Sequence, residues 1–336
     1  MSQAPPLPVY LLTGFLGSGK TTLLARLIHQ PAFADTAVII NEFGDVGLDH
    51  VLLEKSDDRD VVLLESGCLC CASNSPLQDS LEDLYYRRLR GDIPAFSRVV
   101  VETSGLADPL PLMNAINASA TVSRQYRFAG VVTVVDAVNG AASLREYREC
   151  AVQLAVADRV VLTKTDVASA AETEAVRGLI AQANPQADVL PVTLDSEIDL
   201  LRGLEMREHA PVAPVAGQAA GKFSHLLRYG ITSHVLRVNG PVGWPRYAAW
   251  VGTAQRVLGE RLLRAKGILE FEDGEVCAIH GVRHLFGTPR PLSGPVPAPQ
   301  CGAVVLITSD VDEEDIETVA RALGATVMPQ AVLAAM

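Results

Sequence analysis

The chain has 336 residues, 49% of them hydrophobic, and a formal net charge of −11. At about 150 residues per domain, that length implies roughly two domains. The negative balance excludes broad nucleic-acid binding, which needs a cationic footprint. No apolar run reaches the ~18 residues that span a bilayer, and residues 1–8 lack the basic and apolar segments of a signal peptide, so a cytoplasmic protein with no membrane partner is expected.

In chain order, residues 9–13 form a short apolar strand that ends in a glycine loop. Residues 20–30 then place Leu23, Leu24, Leu27 and Ile28 at helical spacing. Strands are predicted at 37–40 and 61–64, and an amphipathic helix at 76–90 carries Leu77, Leu81 and Leu84 on one face. Further strands follow at 98–101, 129–135, 158–163 and 189–192, with a helix over 168–182 before the last. Short apolar strands alternating with helices predict an α/β fold with a mostly parallel sheet flanked by helices. Around 209–222 the composition turns to Ala, Pro, Val and Gly, as in a linker. Beyond it, strands at 231–238, 262–271, 275–280 and 303–308 and helices at 245–258 and 312–323 predict a smaller α+β domain. The expected division is therefore 1–208, a linker at 209–222, and 223–336.

Residues 14–21 fit the pattern G-x-x-x-x-G-K-[ST] between a strand and a helix. Gly14, Gly17 and Gly19 let backbone N–H groups turn inward into an anion nest, to which Ser18 and Thr22 belong. Lys20 sets a point charge against the β- and γ-phosphates, the Thr21 hydroxyl is placed to ligate Mg²⁺, and the helix that follows offers its N-terminal dipole. A P-loop also needs an acid at the end of a neighbouring strand. Glu102 stands there, and Gly105 just after it brings backbone close to the γ-phosphate. Catalysis would rest on Lys20, Thr21 and Glu102.

Thr163-Lys164-Thr165-Asp166 follows a strand well downstream. A carboxylate at Asp166 can accept from guanine N1–H and its exocyclic amine, a donor pair that adenine lacks, so the nucleotide is expected to be GTP. The stem of Lys164 can lie over the base. Thr163 stands where the usual motif has Asn, which weakens one supporting contact. Thr193 is a further candidate for closing the base pocket.

Of the six cysteines, Cys68, Cys70 and Cys71 lie within four positions. Clustered cysteines in a chain too large to need staples suggest metal or redox chemistry. Three thiolates suit Zn²⁺, Cu⁺ and, less well, Co²⁺ or Ni²⁺, with water, a client residue, Glu42 or Asp45 as the fourth donor. Cys150, Cys277 and Cys301 read as small buried hydrophobes, and His280 and His284 as surface or packing residues.

Together the motifs resemble the CobW/YjiA family of P-loop GTPases, a group of proposed metallochaperones. The matching residues are GFLGSGKTT at 14–22, NEFGDVGLD at 41–49, GCLCC at 67–71, ETSGLADP at 102–109 and TKTD at 163–166, with RAKGILEFEDG at 264–274 and GVRHLF at 281–286 in the second domain. The resemblance implies GTP hydrolysis, with Glu102 as the strand-end magnesium acid, and binding of zinc, cobalt or iron for a client metalloprotein. Two features depart from many relatives: Ile40 replaces an acid before Asn41, and the seven histidines are scattered. The second domain would hold the client or a second copy of the chain in a homodimer. The alternatives are a GTP-binding switch whose cysteines are structural or redox sensing, and a kinase or ATPase, against which Asp166 argues.

Overall fold

The structure, a computed structural model, describes residues 5–40, 61–65, 76–193, 200–201, 229–292, 296 and 301–328. Strand β1, Leu7–Gly14, is the centre of the first sheet. Its residues Val9, Tyr10, Leu11 and Leu12 are all buried, so both faces of the strand are covered. That is why its sequence is continuously apolar rather than alternating. Tyr10 and Leu12 pack with Leu23, Leu24 and Leu27 of helix α1, Lys20–Leu27.

Strands β2 (Thr36–Ile40), β3 (Val61–Glu65), β4 (Arg98–Glu102), β5 (Tyr126–Asp136), β6 (Arg159–Thr163) and β7 (Asp188–Pro191) complete a seven-stranded sheet in the order β3-β2-β4-β1-β5-β6-β7. Every pairing is parallel, so the sheet is wholly rather than mostly parallel. The chain runs to one side of β1 for β2 to β4 and to the other for β5 to β7. Such a reversal opens a crevice beyond the carboxyl ends of the strands. Glu102 ends β4, Gly14 ends β1, Asp136 ends β5 and Thr163 ends β6, so four adjacent strands deliver their last residues to this crevice.

The helix predicted at 76–90 forms as α2, Pro76–Arg90, with Leu77, Leu81 and Leu84 fully buried. Four helices were not evident from the pattern: α3 (Pro109–Ala118), α4 (Val122–Gln125), α5 (Gly140–Glu146) and α6 (Arg148–Ala155). Two prolines hide α3. Pro109 sits in the first turn, where its missing N–H needs no partner, and the Asp108 side chain caps the helix by accepting from Leu110 N at 3.0 Å. Helix α7, Ala170–Ala183, starts two residues later than expected. The linker predicted at 209–222 lies outside the described residues.

Packing separates the described residues into two units. One holds those up to Ser143, then Ala157–Val176, then from Asp188 to Leu201; the other holds Leu144–Val156, Arg177–Ala187 and those from Tyr229 onward. The second unit is built on an antiparallel sheet of β8 (Ile231–Val238), β9 (Leu262–Glu270), β10 (Val276–Val282), β11 (Leu285–Phe286), β12 (Arg290–Pro291), β13 (Ala303–Ser309) and β14 (Ala325–Val327). Helices α8 (Trp244–Val257) and α9 (Glu313–Leu323) bury Trp250, Ala254, Ile316, Val319 and Leu323 with Leu236, Leu269, Val304 and Leu306 of the sheet. Helix α6 belongs to this unit: the carbonyl of Val156, just after it, accepts from the buried Arg264 of β9. Cys150 and Cys277 are buried as expected, but Cys301 is only partly so. No helix among the described residues is long and apolar enough to cross a membrane.

Candidate nucleotide-binding site

The phosphate loop takes the conformation its glycines allow. Gly17 and Gly19 have φ of +72° and +93°, values that side chains disfavour. A Cβ on Gly14 would stand 2.3 Å from the Val134 carbonyl oxygen, so β1 and β5 approach too closely there for any other residue. Lys20 is nearly buried, and its Nζ donates to the Phe15 carbonyl at 3.2 Å, which curls the loop back over its own lysine. Ser18 is also buried, and its Oγ has no hydrogen-bond partner among the described residues. An orphaned hydroxyl inside a glycine nest, beside a buried ammonium, fits an anionic ligand.

Glu102 is not a surface carboxylate at a strand end. It is 1% exposed, and its Oε1 accepts from the Thr21 hydroxyl at 3.0 Å. The register of β1 with β4, Leu12 opposite Glu102, makes the contact by bringing the acid level with the end of the P-loop strand. Beside it, Thr103 Oγ1 donates to Thr13 Oγ1 at 2.9 Å in the buried interior. A hydroxyl and a carboxylate this close, facing the phosphate nest, are a donor set suited to Mg²⁺. Gly105 is placed by contact rather than by torsion. A Cβ there would stand 2.7 Å from Leu16 N and 2.9 Å from Leu16 Cα, so the segment after β4 lies directly on the phosphate loop.

Thr163, expected to weaken a contact, makes one. Its Oγ1 donates to the Ser18 carbonyl at 2.7 Å, and the Val135 carbonyl lies 3.2 Å away. Lys164 holds φ at +57°, and its Nζ donates to the Gly17 carbonyl at 2.9 Å and to Asp136 Oδ2 at 2.6 Å. The loop after β6 is thus tied twice to the phosphate loop. Asp166 lies on the turn beyond, exposed, and its carboxylate makes no hydrogen bond or ion pair to a described residue. Thr165 Oγ1 donates to the Val192 carbonyl at 3.2 Å. Thr193 offers its carbonyl to Arg26 at 3.0 Å.

Asp136 was missed by sequence reasoning. Burial pushes its carboxyl up, but hydrogen bonds from Lys164, Asn139 and the Val138 and Asn139 backbone outweigh this and hold it below the usual range. The available signal was its position: an acid ending a buried apolar strand, as Glu102 does. Cys68, Cys70, Cys71, Glu42 and Asp45 lie outside the described residues. In the second unit, exposed His284 pairs through Nδ1 with Glu260 at 2.9 Å, and His280 is partly buried in β10.

Residues 8–191 match the family model of the CobW/HypB/UreG nucleotide-binding domain, and residues 231–323 that of the cobalamin synthesis protein CobW C-terminal domain. The chain is 33% identical over 319 residues to the zinc chaperone YjiA of Escherichia coli, covering 93% of this chain and 96% of that one. It is 31% identical over 211 residues to the zinc-regulated GTPase metalloprotein activator 1 of Schizosaccharomyces pombe, covering 61% of this chain and 50% of that one. The crystal structure of Zn(II)-bound YjiA GTPase from E. coli superposes with a TM-score of 0.70 at 29% identity, covering 95% of this chain and 99% of that one. The buried acid, the glycine nest and the threonine-lysine-aspartate loop therefore sit in a chain that belongs to the CobW/HypB/UreG family of nucleotide-binding proteins.

Proposed function

We propose that this protein is a cytoplasmic GTPase that couples nucleotide state to the capture of a transition metal, in the first instance Zn²⁺, and to its delivery to a client metalloprotein. The observation that carries the nucleotide half is the hydrogen bond of Thr21 to the buried Glu102 at 3.0 Å, set at the mouth of the glycine nest. In this reading Gly14, Gly17, Ser18, Gly19, Lys20, Thr21, Thr22 and Gly105 surround the phosphates. Thr163, Lys164 and Asp166 receive guanine. Asp166 is exposed, and its two oxygens would accept from the N1–H and amine of the base. Mg²⁺, held by Thr21 and Glu102, would neutralise phosphate charge. Lys20 holds the γ-phosphate and stabilises charge that develops on it, and its burial strengthens that interaction.

The metal half rests on thiolate chemistry and on likeness to proteins named zinc chaperones. Cys68, Cys70 and Cys71 would take Zn²⁺ (or Co²⁺ or Fe²⁺) as cargo, with Glu42 or Asp45 as auxiliary donors. In sequence the cysteines fall between residues 41–49 and Glu102, and in this reading those two stretches are the switches that sense the γ-phosphate. The division 1–208, 209–222 and 223–336 would give the last segment to a client or a homodimer partner.

The test is Zn²⁺ affinity of the full chain with a non-hydrolysable GTP analogue, with GDP, and after replacement of Cys68, Cys70 and Cys71 by Ser. The proposal expects tighter Zn²⁺ binding in one nucleotide state and its loss in the triple variant. Equal affinity in all three would reject it in favour of a GTP switch with structural or redox cysteines.

A further inference from the structure

Asp136 has no assigned part in holding phosphate or reading the base, yet it is the most fully bonded carboxylate at the strand ends. Its Oδ1 accepts from Val138 N at 2.7 Å and Asn139 N at 3.2 Å. Its Oδ2 accepts from Asn139 Nδ2 at 3.0 Å and Lys164 Nζ at 2.6 Å. Only 7% of the side chain is exposed. Two of these donors are backbone groups of the turn leading into α5, so the carboxylate is fixed by the fold. The lysine is not. A four-carbon ammonium stem has many rotamers, and Lys164 is 39% exposed. Its position is therefore set by what it binds: Asp136 on one side and the Gly17 carbonyl on the other.

Resting on the guanine-nucleotide reading above, we infer that Asp136 is a positioning residue for nucleotide binding. It fixes the Lys164 ammonium so that the guanine-reading loop and the phosphate loop hold one mutual geometry. Lys164 can lie along a base only if its ammonium is anchored beyond it. The same anchor reaches Gly17, the glycine whose left-handed backbone shapes the nest. Base and phosphate recognition are thereby coupled through one buried carboxylate. With Thr163 in place of Asn, the loop's side-chain ties to the phosphate loop are the Thr163 hydroxyl and this ammonium, which increases the dependence on Asp136.

Asp136→Asn is nearly isosteric. It keeps an acceptor for Val138 and Asn139 but turns an amide donor against Lys164 Nζ and Asn139 Nδ2. The full-length protein, Asp136→Asn, Lys164→Met and the double variant are compared for affinity toward a fluorescent GDP and for steady-state GTP hydrolysis. Asp136→Asn is expected to weaken GDP binding about tenfold or more, the scale of a hydrogen bond between charged groups. KM should rise while kcat changes by less than about threefold, and the double variant should bind no more weakly than Lys164→Met alone, because both remove one interaction. Unchanged GDP affinity in Asp136→Asn, fully additive losses, or a fall in kcat alone would overturn the inference. NMR of the Lys164 ammonium in the unmutated protein needs no variant to fold: an ammonium shielded from solvent exchange is expected, and one exchanging freely overturns the role. If the unmutated protein binds no guanine nucleotide, the guanine reading fails and this inference with it. An unmutated protein that binds while Asp136→Asn binds equally well rejects the inference alone.

Discussion

The two units place their carboxylates differently among the described residues. At and beside the strand ends of the parallel sheet, Lys20, Glu102 and Asp136 are each under 10% exposed, and the two carboxylates are bonded across elements. In the antiparallel unit, the comparable cluster of Glu260, Arg283 and His284 lies at the surface, with the Glu260 side chain 61% exposed. Both units bury a hydrophobic core. The difference lies in the sheets. A parallel sheet with a strand-order reversal gathers several strand ends into one desolvated crevice, where a charge interacts strongly and is held before any ligand arrives. Antiparallel hairpins send successive strand ends to opposite edges, so apart from the buried Arg264 the charged pairs named here stay in water, where they contribute little.

Three substitutions test that contrast, from largest effect to smallest. Lys20→Met should lower kcat for GTP by about 100- to 1,000-fold, the scale of removing one preorganised charge-stabilising group, measured by phosphate release. A loss of only a few-fold would mean that the buried charges are not the catalytic ones. Gly105→Ala should cost about 1–3 kcal/mol, as overpacking does, because its methyl meets not only the Leu16 Cδ2 end but also Leu16 backbone, which cannot swing away. Chemical unfolding measures the cost, and nucleotide affinity should fall with it because the displaced backbone is the phosphate loop. Glu260→Gln should cost at most about 1 kcal/mol after solvent screening. Slight burial raises the Glu260 pKa, but bonds from His284 and Arg283 hold it below the usual value of 4.5. Its contribution is therefore present above that unfolded value and lost as pH falls through the lower folded one. Melting temperatures of the two proteins should converge in acid, and a gap that widened there would contradict the assignment.

Much of the fold was legible because its signals are local. Strands β1, β2, β4 and β6 are continuous apolar runs, and α2 has a clear helical stripe. Helices α3 and α6 were not legible. Proline in the first turn masks the one, and α6 is buried almost all round, so it lacks the alternating face that marks a surface helix. The short strands β11, β12 and β14 span two or three residues and are made by their partners rather than by propensity.

The sequence by itself determined the phosphate loop, because its glycines, lysine and threonine act within one turn of chain and their chemistry follows from spacing. It also determined the acid at Glu102 and the guanine-reading loop as candidates. Only the tertiary structure decided how these parts hold one another. Thr163 meets Ser18 across 145 positions, Lys164 meets Gly17 across 147, and Asp136 meets Lys164 across 28. Those contacts depend on which strands lie side by side and in what register, and a register is fixed by packing on both faces of the sheet rather than by any residue's neighbours in the chain.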